Sequence, residues 1–296
     1  MTRQRDFERP DSIGSRIALE AVARLPRRAL TELAGRAAQL SVPPAARRSL
    51  YGAFARAVGA NVGEAAEPLD TFSTFNEFFT RRLRDGVHRL ESDEAVASPA
   101  DGRLDQIGRI ERGRLIQAKG LDYSLADLVR DEQLAEALEG GMFATVYLSP
   151  ADYHRVHSPF DYRVDRITHV GGELWPVNNV SVPWVRSLFT VNERVVMSGR
   201  TPDGLAASVV MVGATVVGGI EVFDARAKIG ERAHGQTATV LQPPVRRAAM
   251  DELGAFRLGS TVIIALADPA RRLESGAMPG SRVRVGQSLF VRRSTK

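Results

Sequence analysis

A few residues far apart in the chain could combine into nucleophilic chemistry. Gly259-Ser260 opens an apolar run, Val262 to Leu266, that reads as a buried strand. Glycine has no Cβ, so its carbonyl can be approached closely, and a serine hydroxyl directly after it can attack that carbonyl. The pair reads equally as an ordinary turn ahead of a strand. His154 and His157 stand three residues apart after another apolar strand, in a chain with only five histidines. Histidine's ordinary pKa of about 6.5 suits it to general acid-base work. As half of a zinc site the two would need further ligands, and the sequence offers no cysteine and no second cluster, so no metal is expected. Ser98-Pro99-Ala100-Asp101-Gly102 is a turn that holds an aspartate at the mouth of a strand. Asp101, His157 and Ser260 together supply an orienting carboxylate, a base and a hydroxyl nucleophile.

Stepping from these residues to the rest of the chain, 296 residues with 44% hydrophobic and 25% charged side chains describe an ordinary globular protein with room for a real core. The absence of cysteine excludes disulfides, thiolate metal sites and a cysteine nucleophile. Lysine is confined to Lys119, Lys228 and Lys296, which leaves few candidates for a pyridoxal-phosphate Schiff base. The first ten residues are polar and charged, unlike a secretory signal. Gly204 to Ile220 carries no charge but falls short of the roughly 20 apolar residues of a membrane helix, and its glycines and β-branched residues predict paired strands.

The N-terminal part is helical by pattern. Ile13, Ile17, Ala21, Val22 and Leu25 recur at helical spacing up to Pro26; Leu30, Leu33, Ala37 and Leu40 repeat it up to Pro43-Pro44; Leu50, Phe54 and Val58 make a third segment. Residues 1–60 hold eleven arginines against five acids, an excess larger than the whole chain's net charge of +5. Basic amphipathic helices suit an anionic membrane surface, and equally a cap with solvated arginines. Nucleic acid is not expected, because no aromatic residues interleave the charges. After a linker at 64–69, Thr71 to Leu83 predicts another helix, with Thr74 and Glu77 as a capping box and four phenylalanines for the core. From residue 86 onward short alternating strands with glycine turns predict a β-rich sandwich or barrel, as in Val209–Val212, Thr215–Val217 and Ala238–Leu241. The fold class is therefore α+β, with a helical region over 1–70 and a catalytic domain over 71–296.

Six stretches in order, Phe75 to Arg81, Pro99 to Gly102, Tyr147 to Pro159, Asn192 to Arg194, Val212 to Gly218 and Leu258 to Thr261, resemble the successive motifs of the bacterial membrane-bound phosphatidylserine decarboxylases. Two places depart from the family pattern. Gly171-Gly172-Glu173-Leu174 leads into Trp175-Pro176-Val177-Asn178 where Pro-Gly-x-Leu with Phe/Tyr-Ser-Val-Asn is usual, and Ala249-Met250 stand where many members carry Lys-Gly.

The resemblance implies a proenzyme that makes its own cofactor. His157, oriented by Asp101, would take the proton of Ser260, whose oxygen attacks the Gly259 carbonyl. The chain would split into 1–259 and 260–296, and Ser260 would become a covalent pyruvoyl group (pyruvate as cofactor). That group would form a Schiff base with phosphatidylserine and release carbon dioxide to give phosphatidylethanolamine. His154 is the candidate for handling the carboxylate or proton in this second half. The resemblance also implies a peripheral place on the cytoplasmic face of the cell membrane, an anionic lipid surface as partner, and a homo-oligomer, a dimer of processed protomers. The alternative class is a serine hydrolase that uses Asp101, His157 and Ser260 without self-cleavage.

Overall fold

The computed structural model describes residues 20–21, 24–118, 121–177, 181–215, 219–227, 235–257 and 260–292. Two N-terminal helices, α1 (Arg27–Ala38) and α2 (Pro44–Val58), match the second and third helical patterns. Pro44 opens α2 where its missing N–H costs nothing, and Gly59 in the left-handed conformation closes it. The first predicted helix lies largely outside the described residues. The predicted helix over 71–83 is only α3 (Phe75–Phe79), entered as expected: Thr74 Oγ1 accepts the Glu77 N–H at 3.1 Å, and Glu77 Oε2 accepts the Ser73 N–H at 2.6 Å. It ends early because the Thr80 hydroxyl bonds back to the Asn76 carbonyl and the chain beyond turns extended, with Leu83 bridging Ala65. Tyr51 of α2 stacks on Phe78 at 4.8 Å and forms a small core with Ala55 and Phe72.

The remaining chain is built on an antiparallel eight-stranded sheet. Its strands, in spatial order, are β11 (Gln236–Arg247), β7 (Tyr162–Val170), β8 (Arg194–Arg200), β9 (Ala206–Val212), β13 (Ser260–Leu266), β5 (Met142–Leu148), β2 (Gly102–Arg109) and β15 (Arg282–Val283). β11 and β15 are its two edges. The sheet therefore does not close, and the barrel half of the sandwich-or-barrel expectation is corrected. The period-2 alternation that suggested closure is shared by open antiparallel sheets. Smaller sheets flank it: β10 (Ile220–Val222), β12 (Glu252–Phe256) and β6 (Arg155–His157) in that order; β1 (Val96–Ala97), β16 (Ser288–Arg292) and β14 (Arg271–Leu273); and the hairpin β3 (Arg114–Ala118) with β4 (Leu121–Ser124). Short helices α4 (Leu125–Val129), α5 (Glu132–Ala137) and α6 (Leu188–Val191) pack with one another and against β4. The charge-free stretch from Gly204 supplies β9 and the start of β10. They pair with different partners rather than with each other, β9 inside the large sheet and β10 on β12. Val216 and Val217, also expected in a strand, lie outside the described residues.

β13 is the central strand, and each of its seven residues is buried. It pairs with β5 from Ser260–Leu148 to Leu266–Met142 and with β9 from Thr261–Val212 to Leu266–Ala207. Its backbone is paired on both edges and its side chains are buried on both faces, which explains its nearly unbroken apolarity.

Candidate active site

Ser260 is the first residue of β13, 1% exposed, and its Oγ has no hydrogen-bond partner among the described residues. A buried hydroxyl without a partner is costly, and Thr261 and Ser208 of the same sheet share that state, so what sets Ser260 apart is its place directly after Gly259 at the head of β13. Leu258 and Gly259, the expected cleavage position, lie outside the described residues.

The aspartate turn and the histidine segment lie side by side. The Pro99 carbonyl accepts the His157 N–H at 2.8 Å, and the Pro159 carbonyl accepts the Ala97 N–H at 2.9 Å. The Ser98 hydroxyl shapes the turn by donating to the Ala100 carbonyl. Gly102 is required where β2 leaves this turn, because a Cβ there would meet the Tyr147 carbonyl oxygen at 2.2 Å. β6 then runs along β12, with His157 opposite Glu252, so the histidines are delivered to the strand that leads into Ser260.

His157 is held at both nitrogens. Its Nδ1 lies 2.6 Å from the Met250 carbonyl, which can only accept, so Nδ1 carries the proton. Nε2 then accepts from the Tyr153 hydroxyl at 3.1 Å. Burial lowers the His157 pKa, partly offset by the Met250 carbonyl, and burial raises that of Tyr153, so the pair rests as neutral base and protonated phenol. Asp101 is brought close to this pair but not onto it. Its Oδ1 accepts the Val285 N–H at 2.9 Å and lies 2.8 Å from His88 Nε2, off the line of an ideal hydrogen bond. The ring of His88 in turn sits 5.2 Å from Tyr153 and 6.3 Å from His157.

His154 is fully buried. Its Nδ1 donates to the Asp152 carbonyl at 2.8 Å, and its Nε2 is a lone pair without a partner among the described residues. Burial brings its pKa down to about 3, so the ring is neutral at any physiological pH. The Phe79 ring packs on it at 4.0 Å, and the next residue, Arg155, donates to the Thr80 carbonyl at 2.8 Å and pairs with Glu252 at 2.7 Å. The Phe-Phe-Thr-Arg stretch after α3 is thus the wall against which His154 is seated.

The Asn-Glu-Arg stretch organises the other side. Asn192 clamps Trp175 by accepting its N–H and donating to its carbonyl, at 2.9 and 2.8 Å, and donates also to the Gly213 carbonyl. Glu193 meets His169 at 3.0 Å, both buried. Arg194 spends its guanidinium on the carbonyls of Asp127, Leu128, Thr190 and Asn192, and burial lowers its pKa to about 10. The loop from Gly171 to Trp175, where the family pattern is departed from, is also tied to α1: Arg27 pairs with Glu173 at 3.0 Å and stacks on Trp175, and Arg28 donates to the Gly172 carbonyl.

His88 and Tyr153 were not singled out by sequence, and Met250 was noted only as a departure from the family pattern, not as the partner of His157. Tyr153 lay inside a recognised motif and could have been; a backbone carbonyl 93 residues from its histidine leaves no signal in side-chain chemistry.

Ser260 at the start of the central strand, and a segment with two neutral histidines that reaches it through β6 and β12 and borders the Asp101 turn, make up the chemistry-bearing part of a decarboxylase-type lyase. A family model described as phosphatidylserine decarboxylase matches residues 75–291. Among curated proteins the chain is 42% identical over 285 residues to the phosphatidylserine decarboxylase proenzyme of Anaeromyxobacter sp. (strain K), covering 94% of this chain and 99% of that one. It is 41% identical over 273 residues to the proenzyme of Xanthomonas campestris pv. campestris (strain B100), covering 90% and 95%. It is 40% identical over 266 residues to that of Alcanivorax borkumensis, covering 88% and 91%. The chain belongs to the phosphatidylserine decarboxylase family.

Proposed function

We propose that this chain is the precursor of a pyruvoyl-dependent enzyme that decarboxylates phosphatidylserine to phosphatidylethanolamine. The observation that carries the reading is Ser260: a buried hydroxyl, without a hydrogen-bond partner among the described residues, directly after Gly259 at the first residue of a strand paired on both sides.

In maturation, neutral His157 takes the Ser260 proton as Oγ attacks the Gly259 carbonyl carbon. The peptide C–N bond breaks and an ester forms, the freed amine taking up the proton. β-Elimination then releases Gly259 as a carboxylate and leaves residue 260 unsaturated; addition of water and loss of ammonia complete the pyruvoyl group. His157 fits the role because burial keeps it neutral; its lone pair, at Nε2, is held by the Tyr153 hydroxyl and becomes the base once that hydroxyl turns away. Asp101 supplies negative charge near the imidazolium that forms. After the cut, 260–296 stays attached through β13 in the large sheet, β15 on β2 and β16 on β1.

The group fits its place, since the Ser260 hydroxyl has no hydrogen bond among the described residues that its conversion would lose. When present it supplies an electrophilic carbonyl that captures a primary amine and takes up the electrons released as a carboxylate leaves. In this second half His154, buried and unable to ionise, offers the uncharged Nε2 to the reacting head group, and the dry wall of Phe79 excludes water from it.

The lipid substrate gives the N-terminal helices their purpose. Leu25, Leu30, Leu33, Leu40 and Leu50 are exposed among arginines on and around α1 and α2, a face suited to an anionic bilayer. Among the described residues no helix is long and apolar enough to cross a membrane. The serine hydrolase alternative has no specific observation in its favour.

The deciding experiment is the intact mass of the active protein under denaturing conditions. Two species, 1–259 and 260–296 with a blocked pyruvoyl terminus, are expected. Activity from a single uncut chain would overturn the reading.

A further inference from the structure

Asp101 is held by two groups. Val285 N–H donates to Oδ1 at 2.9 Å from one side, and His88 Nε2 touches the same oxygen at 2.8 Å from the other. The other carboxylate oxygen has Arg284 Nε at 3.8 Å, and that side chain is half exposed. Asp101, Tyr153 and Arg284 line a cavity of about 500 Å³ that also admits Glu64 and Arg282. Arg284 is shared with Glu64 at 2.8 Å, so the pull on Asp101 toward the cavity is already present in the folded chain. The His88 ring, nearly buried, stands between this carboxylate and the Tyr153–His157 pair.

We propose that His88 is a positioning residue of the maturation site, which holds the Asp101 carboxylate toward the Tyr153–His157 pair and away from Arg284. The inference rests on the self-cleavage reading above. His157 must become cationic when it takes the Ser260 proton, and the nearby negative charge of Asp101 favours that charge, whereas a carboxylate that swings into the open cavity to meet the Arg284 guanidinium is spent. Val285 N–H alone leaves the carboxylate free to pivot about one oxygen; His88 Nε2, 2.8 Å from that oxygen though off the line of a hydrogen bond, is placed to limit the pivot and to donate once aligned. His88 acts only through Asp101 and makes no contact with the bond that breaks.

The test follows conversion of freshly synthesised full-length chain in a cell-free system, in detergent micelles, into 1–259 and 260–296. Three chains are compared: the parent, His88→Leu, which fills the site without a donor, and His88→Gln, which keeps an N–H donor. Trypsin resistance reports folding in each, and His88→Ala replaces the leucine variant if that one is digested. The expectation is conversion slowed at least ~10-fold in the folded Leu or Ala variant, and within ~3-fold of the parent in His88→Gln, on the scale of acid-base contributions. A role in packing alone would be served equally by leucine and glutamine. Parent-like conversion without the donor, or a folded His88→Gln as slow as His88→Leu, would overturn the proposal. A parent chain that never splits is a different result, and sinks the self-cleavage reading instead.

Discussion

Met250 stands in the left-handed backbone conformation, with φ of 74°, and from there its carbonyl accepts the Nδ1 proton of His157 at 2.6 Å. The position is one where glycine would be unstrained and a β-branched residue most strained. The strain thus serves to fix the tautomer of the maturation base, leaving Nε2 as its accepting nitrogen.

Met250→Val is therefore expected to destabilise the fold by about 1 kcal/mol or more and to slow self-cleavage by shifting the carbonyl. Met250→Gly should stay within about 1 kcal/mol of the parent, because relief of strain is offset by the greater freedom of unfolded glycine. Denaturant titration on a Ser260→Ala background, together with the cleavage rate of otherwise unaltered chains, checks both. Equal behaviour of the two variants would mean that the backbone here carries no strain that matters.

The pH dependence of stability follows from His154. Its folded pKa is lowered to about 3, mainly by burial, whereas unfolded histidine titrates at about 6.5. Below the unfolded value the unfolded chain binds a proton that the folded chain refuses, so stability present above about pH 6.5 is lost as pH falls toward 3. This one group contributes a slope of about 1.4 kcal/mol per pH unit between roughly pH 6 and 4. In Ser260→Ala protein, adding His154→Gln should make the stability curve shallower by that amount, the carboxylates cancelling in the comparison. Identical slopes would show that His154 is protonated in the folded chain.

Much of this was legible in the sequence because local chemistry decided it. The Thr74–Glu77 capping box, the helical spacing of Leu50, Phe54 and Val58 in α2, and the apolar run of β13 each depend on neighbours in the chain, and the structure has them where their pattern puts them. What was not legible depends on residues brought together from far apart. Asp101 meets His88 and Val285, and His157 meets Met250, through strand pairings that side-chain type does not encode. Sandwich and barrel stayed undivided in the sequence for the same reason: alternation tells a strand which face is buried, and says nothing of whether β11 and β15 meet. The helix over 71–83 was overextended because Phe72, Phe75 and Phe79 kept helical spacing, although Thr80 ends the helix with a side-chain bond of its own.

Asn192 offers a test of the loop from Gly171 to Val177. Its side chain makes three buried hydrogen bonds, two to the Trp175 backbone and one to the Gly213 carbonyl, so it fixes the loop to the end of β9. Asn192→Ala leaves those groups unpaired and is expected to cost about 3 kcal/mol. Asn192→Asp keeps the acceptor for the Trp175 N–H but sets a carboxylate against two carbonyls, and should cost at least as much. Thermal melts of the Ser260→Ala background read the loss directly. A loop that matters only locally would show the same melting temperature and increased proteolysis near Trp175.

The exposed leucines of the N-terminal helices make the membrane reading measurable apart from catalysis. Leu33 and Leu40 are 66% and 68% exposed, a large apolar area to leave in water beside the basic face of α1. Burying one such side chain in a bilayer contributes about 1.5–3 kcal/mol, and each arginine near an anionic surface about 1 kcal/mol more. Leu33→Glu with Leu40→Glu should therefore lower binding to vesicles containing phosphatidylserine at least ~10-fold. Self-cleavage in micelles should persist, since neither side chain belongs to the site around His157. Parent binding should also weaken between 0.1 and 0.5 M salt, as arginine contacts are screened over a Debye length of about 10 Å or less. If the double variant bound vesicles as the parent does while losing a self-association seen by sedimentation, these leucines would face a second copy of the chain, and the lipid would have to be met by another surface.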